Sequence, residues 1–356
     1  MKMIYVGSLI TEPDRDSGWV SSFEELGCSV TPFRSEISYP QDGTLVKIFG
    51  KVCNRLNIGH LNRKLQNSLL ALAESEQPEW IHFRMPLGFD RKTIETLKKK
   101  KILVTQYFND DAFSKSHALG LFWKFRHALY SYDGHFVWRK RDIELYRKAG
   151  ATYVEHSPPY FDPDLVFLPD TLPNANQFIA DAAFIGHWED DWRVDCLDGL
   201  VNSGLDVILK GGSDLWNKAI KGRGLGKLVP IAEAYGDEYR YIYSNVVAGL
   251  CFFSKINNDT WTRRAFEIVA VGGVLVCERT EEAKQYFNDR EEAYFFSSIE
   301  ELIEIVNELK HDPVKREKVR VAGHARLLQG DNTILDRAKQ VYQFATKAIG
   351  KVACSQ

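Results

Sequence analysis

The chain has 356 residues, 44% of them hydrophobic and 26% charged, with a net charge of −2. That length exceeds one ordinary core and calls for two domains, while the near-neutral balance excludes recruitment by nucleic acid through bulk charge. Six cysteines (Cys28, Cys53, Cys196, Cys251, Cys277, Cys354) form no C-x-x-C and have no histidine at ligand spacing, so they read as reduced, buried thiols of a cytosolic protein. MKMIYVGSL opens on a strand rather than a signal peptide, and no apolar run approaches the roughly eighteen residues that span a bilayer. The expected location is the cytoplasm or the inner face of a membrane.

The first half alternates strands and helices. Met3–Gly7 reads as a strand, Trp19–Leu26 as a helix and Ser29–Phe33 as a strand. Leu61–Ser75 follows as a long helix, Trp80–Phe83 as a strand, and Arg91–Lys100 as a helix ending in a solvated lysine run. Ile102–Tyr107 and His135–Trp138 are further strands, and Lys140–Lys148 is a helix. Such alternation predicts a parallel sheet covered on both faces, forming a first domain over residues 1–170. Leu168–Ala180, rich in Pro, Asn and Asp, is the predicted linker.

Asp181–Gly186 opens a second α/β domain over residues 181–330 as a strand. Arg193–Ser203 is its first helix, Asp206–Leu209 a strand, Asp237–Ser244 a helix and Ala248–Phe253 a strand. A helix then opens at Thr262, an N-cap with Arg263 and Arg264 in its first turn. Phe266, Val269 and Ala270 form its buried stripe, Gly272 or Gly273 ends it, and Val274–Cys277 is a buried strand. Ser298–Glu301 is a capping box for a helix through Lys310, and Pro313 starts the next helix at N1. The last helix, Thr333–Ile349, lies in a third segment, 331–356.

The stretch from Asn257 to Val276 carries the chemistry. A helix N-terminus flanked by two guanidiniums suits a diphosphate. A carboxylate farther along, Glu267, can take both hydroxyls of a ribose. Together these read as a nucleotide-sugar site. The competing reading is a surface ion pair, since Arg263 and Glu267 stand at i, i+4.

TRRAFEIVAVGGVLVCERTEE resembles the donor-site signature of GT-B glycosyltransferases, and within them the spore-maturation-protein type of glycosyltransferase group 1. The likeness is strong over Ala182–Phe344, moderate over Val137–Leu168 and weak before that. The broader group carries a Glu-x7-Glu pattern, with Glu267 on its second position and Asp259 on its first. Aspartate there keeps the charge with one methylene less reach. The resemblance implies two Rossmann-like domains facing a cleft, with the last helix returning to the first domain. It also implies that Asp259 contacts the donor sugar and that the anomeric configuration is retained.

Further candidates lie at the carboxyl ends of predicted strands, where open α/β sheets bind ligands. Gly186 can approach a phosphate closely, Arg193 can reach one, and Lys210 before Gly211-Gly212 is a weaker candidate for diphosphate or base. Ser17 and Gly18 follow the first strand, within Asp14–Trp19, and are backbone-approach candidates. Asp110 and Asp111 follow the strand ending at Phe108 and could orient or deprotonate an acceptor hydroxyl, or simply cap the next element. Asp14-Arg15-Asp16 and Asp162-Pro163-Asp164 match Asp-x-Asp, but neither stands in a metal-binding context. The run Leu121–Lys148 mixes aromatic and basic residues, a pattern that suits an anionic membrane surface or a snorkelling helix face.

The expected function is transfer of a sugar from a nucleotide-diphosphate donor, UDP ahead of GDP or dTDP, to a hydroxyl of a glycan or lipid-linked acceptor. No cofactor and no metal are expected. The alternatives are a nucleotide-sugar 2-epimerase and a non-catalytic nucleotide-sugar-binding protein of a surface or spore layer.

Overall fold

The computed structural model describes residues 1–9, 16–37, 52–53, 56, 58–170 and 177–353. They divide into two compact units, Met1–Pro158 with Ile334–Gln356, and Pro159–Thr333. Asp14 and Arg15, part of the loop singled out after the first strand, lie outside the described residues.

The first unit contains β1 (Lys2–Gly7), α1 (Ser17–Glu25), β2 (Ser29–Arg34), α2 (His60–Glu76), β3 (Trp80–Arg84), α3 (Arg91–Lys99), β4 (Leu103–Phe108), α4 (Trp123–Ala128), β5 (Gly134–Val137), α5 (Asp142–Lys148) and β6 (Val154–His156). Its sheet has the order β2-β1-β3-β4-β5-β6, and every neighbouring pair is parallel. β3 is buried throughout, as a central parallel strand must be. Its sequence nevertheless carries His82, whose Nδ1 lies 2.8 Å from Thr105 Oγ1. Burial, with Arg84 nearby, pushes that imidazole down to about 3, so it stays neutral.

The last helix, α13 in our numbering (Ile334–Ala353), belongs to this unit. Phe344 packs against Tyr153 and Phe136, with ring centroids 4.2 and 5.9 Å away. A Cβ on Gly134 would lie 2.6 Å from the Phe344 ring, so this contact needs a glycine in β5.

The aromatic–basic run Leu121–Lys148 mostly faces inward. Phe122, Phe125, Tyr132, Phe136, Trp138 and Tyr146 are buried. Trp123 and Tyr130 stay exposed, and both are engaged: Trp123 donates to Leu56 O at 3.0 Å, and Arg91 lies 4.6 Å over the Tyr130 ring. No helix among the described residues is long and apolar enough to cross a membrane.

The second unit runs β7 (Ala180–Ile185), α6 (Arg193–Asn202), β8 (Val207–Lys210), α7 (Ser213–Ala219), α8 (Gly236–Ser244), β9 (Val246–Cys251), α9 (Arg263–Ala270), β10 (Leu275–Glu278), α10 (Ala283–Tyr286), β11 (Tyr294–Phe296), α11 (Ile299–His311) and α12 (Pro313–Leu328). The sheet order is β11-β10-β9-β7-β8, again all parallel. Alternate residues of β7 serve opposite faces. Ala182 and Phe184 pack with Leu197 and Leu200 of α6 and Ile305 and Leu309 of α11. Ala183 and Ile185 pack with Ile242 of α8 and with Phe266 and Val269 of α9. Ser298 caps α11, as the sequence suggests, and Asp312 caps α12.

Helix α9 ends on its two glycines. Gly272 takes φ +80°, its N–H bonds Val269 O at 3.0 Å, and the Gly273 N–H bonds Ile268 O at 2.9 Å. This is the Schellman arrangement, which consumes carbonyls left free at the helix end. A Cβ on Gly273 would meet Tyr243 O at 2.7 Å and Ile268 O at 2.9 Å, and backbone cannot swing aside. Gly273→Ala is therefore expected to cost about 3 kcal/mol by overpacking, and Gly272→Ala about 1 kcal/mol through its left-handed backbone. Urea denaturation of both variants checks the order; equal and negligible losses would contradict it.

Candidate active site

Thr262 occupies the N-cap position of α9 with extended backbone, but its side chain makes no capping bond. The first-turn N–H groups thus receive no side-chain oxygen from it, and the positive end of the helix stays available to an anion. Arg263, Arg264 and Glu267 project from this helix, whose Ala265, Phe266, Ile268 and Val269 are buried.

Glu267 is the hub. Its side chain is only 12% exposed. Oε1 accepts from Arg263 Nη2 at 2.9 Å and Nε at 3.2 Å, and Oε2 accepts from the Tyr239 hydroxyl at 2.8 Å. Burial pushes the carboxyl up. Arg263, then Arg264, and the hydrogen bonds from Tyr239 and Arg263 outweigh it and hold Glu267 below its ordinary 4.5. The i, i+4 pair is therefore real, yet it belongs to a buried cluster rather than to an open surface.

The two arginines are not equivalent. Arg263 is bound to Glu267 and lies 5.2 Å over the ring of Tyr160. Arg264 lies 5.6 Å over the ring of Tyr239, and its Nη1 is buried with no hydrogen-bond partner among the described residues. Burial works against that charge, while Tyr239, Tyr243 and Glu267 favour it, and the net effect raises its pKa. A buried guanidinium nitrogen with an open valence is costly unless an anion completes it.

The remaining sequence-predicted residues fall into separate places. Asp259 lies in the loop between β9 and α9, its N–H bonded to Ser254 O at 2.8 Å. Gly272 and Gly273 sit at the opposite end of α9 from the arginines, where they terminate the helix. Gly186 and Lys210 come together at the ends of β7 and β8: the Gly186 N–H bonds Lys210 O at 2.9 Å, and Trp216 Nε1 donates to Gly186 O at 2.8 Å. The Lys210 ammonium pairs with Glu238 at 2.7 Å.

Arg193 is buried and engaged internally. Nε and Nη2 each lie 2.7 Å from the Asp191 carboxylate, and Nη1 lies 2.7 Å from His187 O. It pins the 187–191 loop, so in this structure its fork faces a protein carboxylate where sequence analysis expects a phosphate.

Sequence reasoning missed Tyr239, Tyr160 and Glu278. Glu278, at the end of β10, is 5% exposed and accepts from Trp192 Nε1 and Lys255 Nζ, both at 2.7 Å, and from Phe253 N at 2.5 Å. Asp162, noted only as part of an Asp-x-Asp match, accepts from Asp164 N at 3.0 Å and begins a short turn beside Arg263 and Glu267. Burial raises its pKa, with Arg263 opposing.

In the first unit, Gly18 is buried at the start of α1 and accepts from Ser22 Oγ at 2.6 Å, while Ser17 is exposed. Asp16 beside them is buried, accepts from Ser8 N at 2.6 Å and pairs with Arg84. Asp110 and Asp111 follow β4. Asp111 is fully buried, accepts from Phe113 N at 2.9 Å and lies 3.4 Å from Arg141 Nη1. Burial pushes the neighbouring Asp142 up to about 6, with Arg139 opposing and Asp111 reinforcing the shift. No group of three or more His, Cys, Asp or Glu residues suited to a metal ion is present among the described residues.

Comparison with solved structures places this architecture. Sucrose-phosphate synthase from Thermosynechococcus elongatus superposes with a TM-score of 0.68 at 13% identity, covering 99% of this chain and 100% of that one. HepE of Anabaena, solved with UDP and glucose, gives 0.65 at 12% identity over 98% and 100%. T4 phage BGT with its UDP-glucose substrate gives 0.54 at 16% identity over 97% and 99%.

The fold is GT-B.

Residues 197–343 also match the family described as glycosyl transferase-like. No curated protein sequence matches significantly. In the GT-B frame, the Glu267 cluster lies within the matched segment, on the helix that follows β9. β9 and β7 are the adjacent strands at which the second sheet's order reverses, the position where open α/β sheets take ligands.

Because the folded Glu267 pKa lies below the ordinary value, its charge contributes stability that is complete above 4.5 and is lost as pH falls through the folded value. Urea denaturation across that acid limb should show a steeper loss for the wild-type chain than for Glu267→Gln. Identical pH dependence would contradict the charged cluster.

Proposed function

We propose that the chain is a glycosyltransferase that moves a sugar from a nucleotide-diphosphate donor to a hydroxyl of a glycan or lipid-linked acceptor, in cell-surface glycoconjugate synthesis. The single observation that carries this reading is buried Arg264 Nη1, without a hydrogen-bond partner among the described residues, beside the ionised Glu267 at a helix N-terminus that the Thr262 side chain does not cap. A diphosphate satisfies Arg264 and the first-turn N–H groups, and a ribose diol satisfies the remaining lone pairs of Glu267. Asp259, in the loop before the helix, contacts the donor sugar.

In this reading the bond between the sugar anomeric carbon and the diphosphate oxygen breaks, and its electron pair leaves with the diphosphate. The acceptor oxygen bonds the same carbon and passes its proton to the departing diphosphate. Negative charge grows on the leaving group, where Arg264 and the α9 dipole stabilise it without needing a metal. Arg263, already committed to Glu267, positions that carboxylate. Retention of configuration follows from the resemblance to the Glu-x7-Glu group, whose spore-maturation-protein type this signature resembles. Inversion would need a base, for which Asp110 or Asp111 would serve. UDP is the favoured nucleotide, in keeping with the UDP and UDP-glucose complexes of structurally similar proteins. A membrane-borne acceptor would be approached through the exposed aromatics of the run Leu121–Lys148, Trp123 and Tyr130.

A thermal-shift panel of UDP-, GDP-, dTDP- and CMP-linked sugars in EDTA tests the proposal. One nucleotide class at 100-fold excess over its Kd is expected to add about 2.7 kcal/mol, a shift of a few degrees. Arg264→Gln and Glu267→Ala are each expected to abolish it. A shift that survives both substitutions, or silence across the panel, would overturn the assignment, and donor conversion without acceptor would replace transfer with epimerisation.

A further inference from the structure

The donor reading leaves Tyr239 without a role, although it touches both groups on which that reading rests. It lies on α8, 28 residues before Glu267, and is 8% exposed. Its hydroxyl donates to Glu267 Oε2 at 2.8 Å, and its ring carries the Arg264 guanidinium at 5.6 Å. The ring is held in turn by Tyr243, edge-on at 4.9 Å, whose hydroxyl accepts from Ile185 N at 3.0 Å. Two packed aromatics, Tyr243 and Tyr239, therefore link the end of β7 to the helix that bears both charged groups.

We propose that Tyr239 is the positioning residue of the donor site, fixing the ribose-binding carboxylate through its hydroxyl and the diphosphate-binding guanidinium through its ring. This rests on the donor reading above. Glu267 has two oxygens to offer, and Arg263 claims one by a two-point contact. Without the tyrosine hydroxyl, the second oxygen is free to rotate away from a diol. Among the described residues no carboxylate is hydrogen-bonded to Arg264, which depends on the aromatic face to hold it in place. The phenol stays protonated at all working pH, since burial first and Glu267 next push its pKa well up, so it remains a donor.

The two halves of the side chain make separable predictions. Binding of UDP and of uridine is measured by calorimetry on wild type, Tyr239→Phe and Tyr239→Leu, using GDP and guanosine or dTDP and thymidine if the panel selects them. Tyr239→Phe keeps the ring and is expected to weaken diphosphate and nucleoside alike by about tenfold, leaving their affinity ratio unchanged. Tyr239→Leu is expected to shrink that ratio as well, because Arg264 loses its support.

A pH profile of uridine binding gives a readout that packing alone would not move. The groups facing Glu267 are Arg263 and Arg264 on α9, Tyr239 and Tyr243 on α8, Cys251 on β9, and Asp162. Loss of the phenol hydrogen bond is expected to move the acid limb to higher pH in Tyr239→Phe. Wild-type affinity and an unmoved limb in Tyr239→Phe, with binding lost in Glu267→Ala, would overturn this role and leave the donor reading standing. Unchanged binding in Glu267→Ala would overturn both. If Tyr239→Leu fails to fold, the Tyr239→Phe arm decides alone.

Discussion

Glu267 keeps its negative charge while almost out of contact with water, and the geometry of the candidate site follows from how it does so. A buried carboxylate ordinarily takes up a proton to shed its desolvation cost. Here a two-point contact from Arg263, a phenol from Tyr239 and the nearby Arg264 hold it ionised. That arrangement fixes the rotamers of Arg263 and Glu267 and leaves Arg264 Nη1 with no hydrogen-bond partner among the described residues. The cluster is thus preorganised for an anion, with the guanidinium already desolvated and its partner carboxylate already spoken for. Such preorganisation is what makes electrostatic stabilisation effective when charge moves onto a leaving group.

The fold supplies the frame that makes this placement possible. Both sheets are wholly parallel, so each sends all its strand carboxyl ends to one edge, and the loops that follow gather there. In the second unit, β7 and β9 are neighbours although β8 lies between them in sequence. The loop after β9 leads directly into α9, and the Schellman glycines then turn the chain straight into β10. Tyr243 O and Ile268 O lie 2.7 and 2.9 Å from where a Cβ on Gly273 would stand, so the end of α9 packs close against the end of α8. The helix that supplies Tyr239 and the helix that supplies Glu267 therefore hold their spacing through backbone contact as well as through the phenol hydrogen bond.

Much of this was legible in the sequence. The β–α alternation gave the parallel sheets, and Thr262, the apolar stripe and Gly272-Gly273 bracketed α9 at the positions where the structure has it. The resemblance carried by TRRAFEIVAVGG led to the GT-B fold. What stayed hidden depended on contacts distant in sequence. Nothing in a tyrosine 28 positions before Glu267 announces that it donates to that carboxylate. Arg193 carries the signal of a phosphate ligand, but Asp191, two residues away, captures its fork. The mixed run Leu121–Lys148 has the composition of a surface, yet most of its aromatics fill the core beside β4 and β5, a distinction that only tertiary packing makes. Tyr160 and Asp162 fall within residues 1–170, which the sequence assigns to the first domain. They belong to the second unit, where Tyr160 underlies Arg263 and Asp162 lies beside it.

In the proposed function, Arg264 and Glu267 divide a nucleoside diphosphate between them. A crystal structure of the full chain grown with UDP tests it most directly. The account predicts a diphosphate oxygen within hydrogen-bonding distance of Arg264 Nη1 and the ribose hydroxyls on Glu267, with the Tyr239 hydroxyl still on Oε2. A diphosphate bound elsewhere, with Arg264 Nη1 still unpaired, would contradict it.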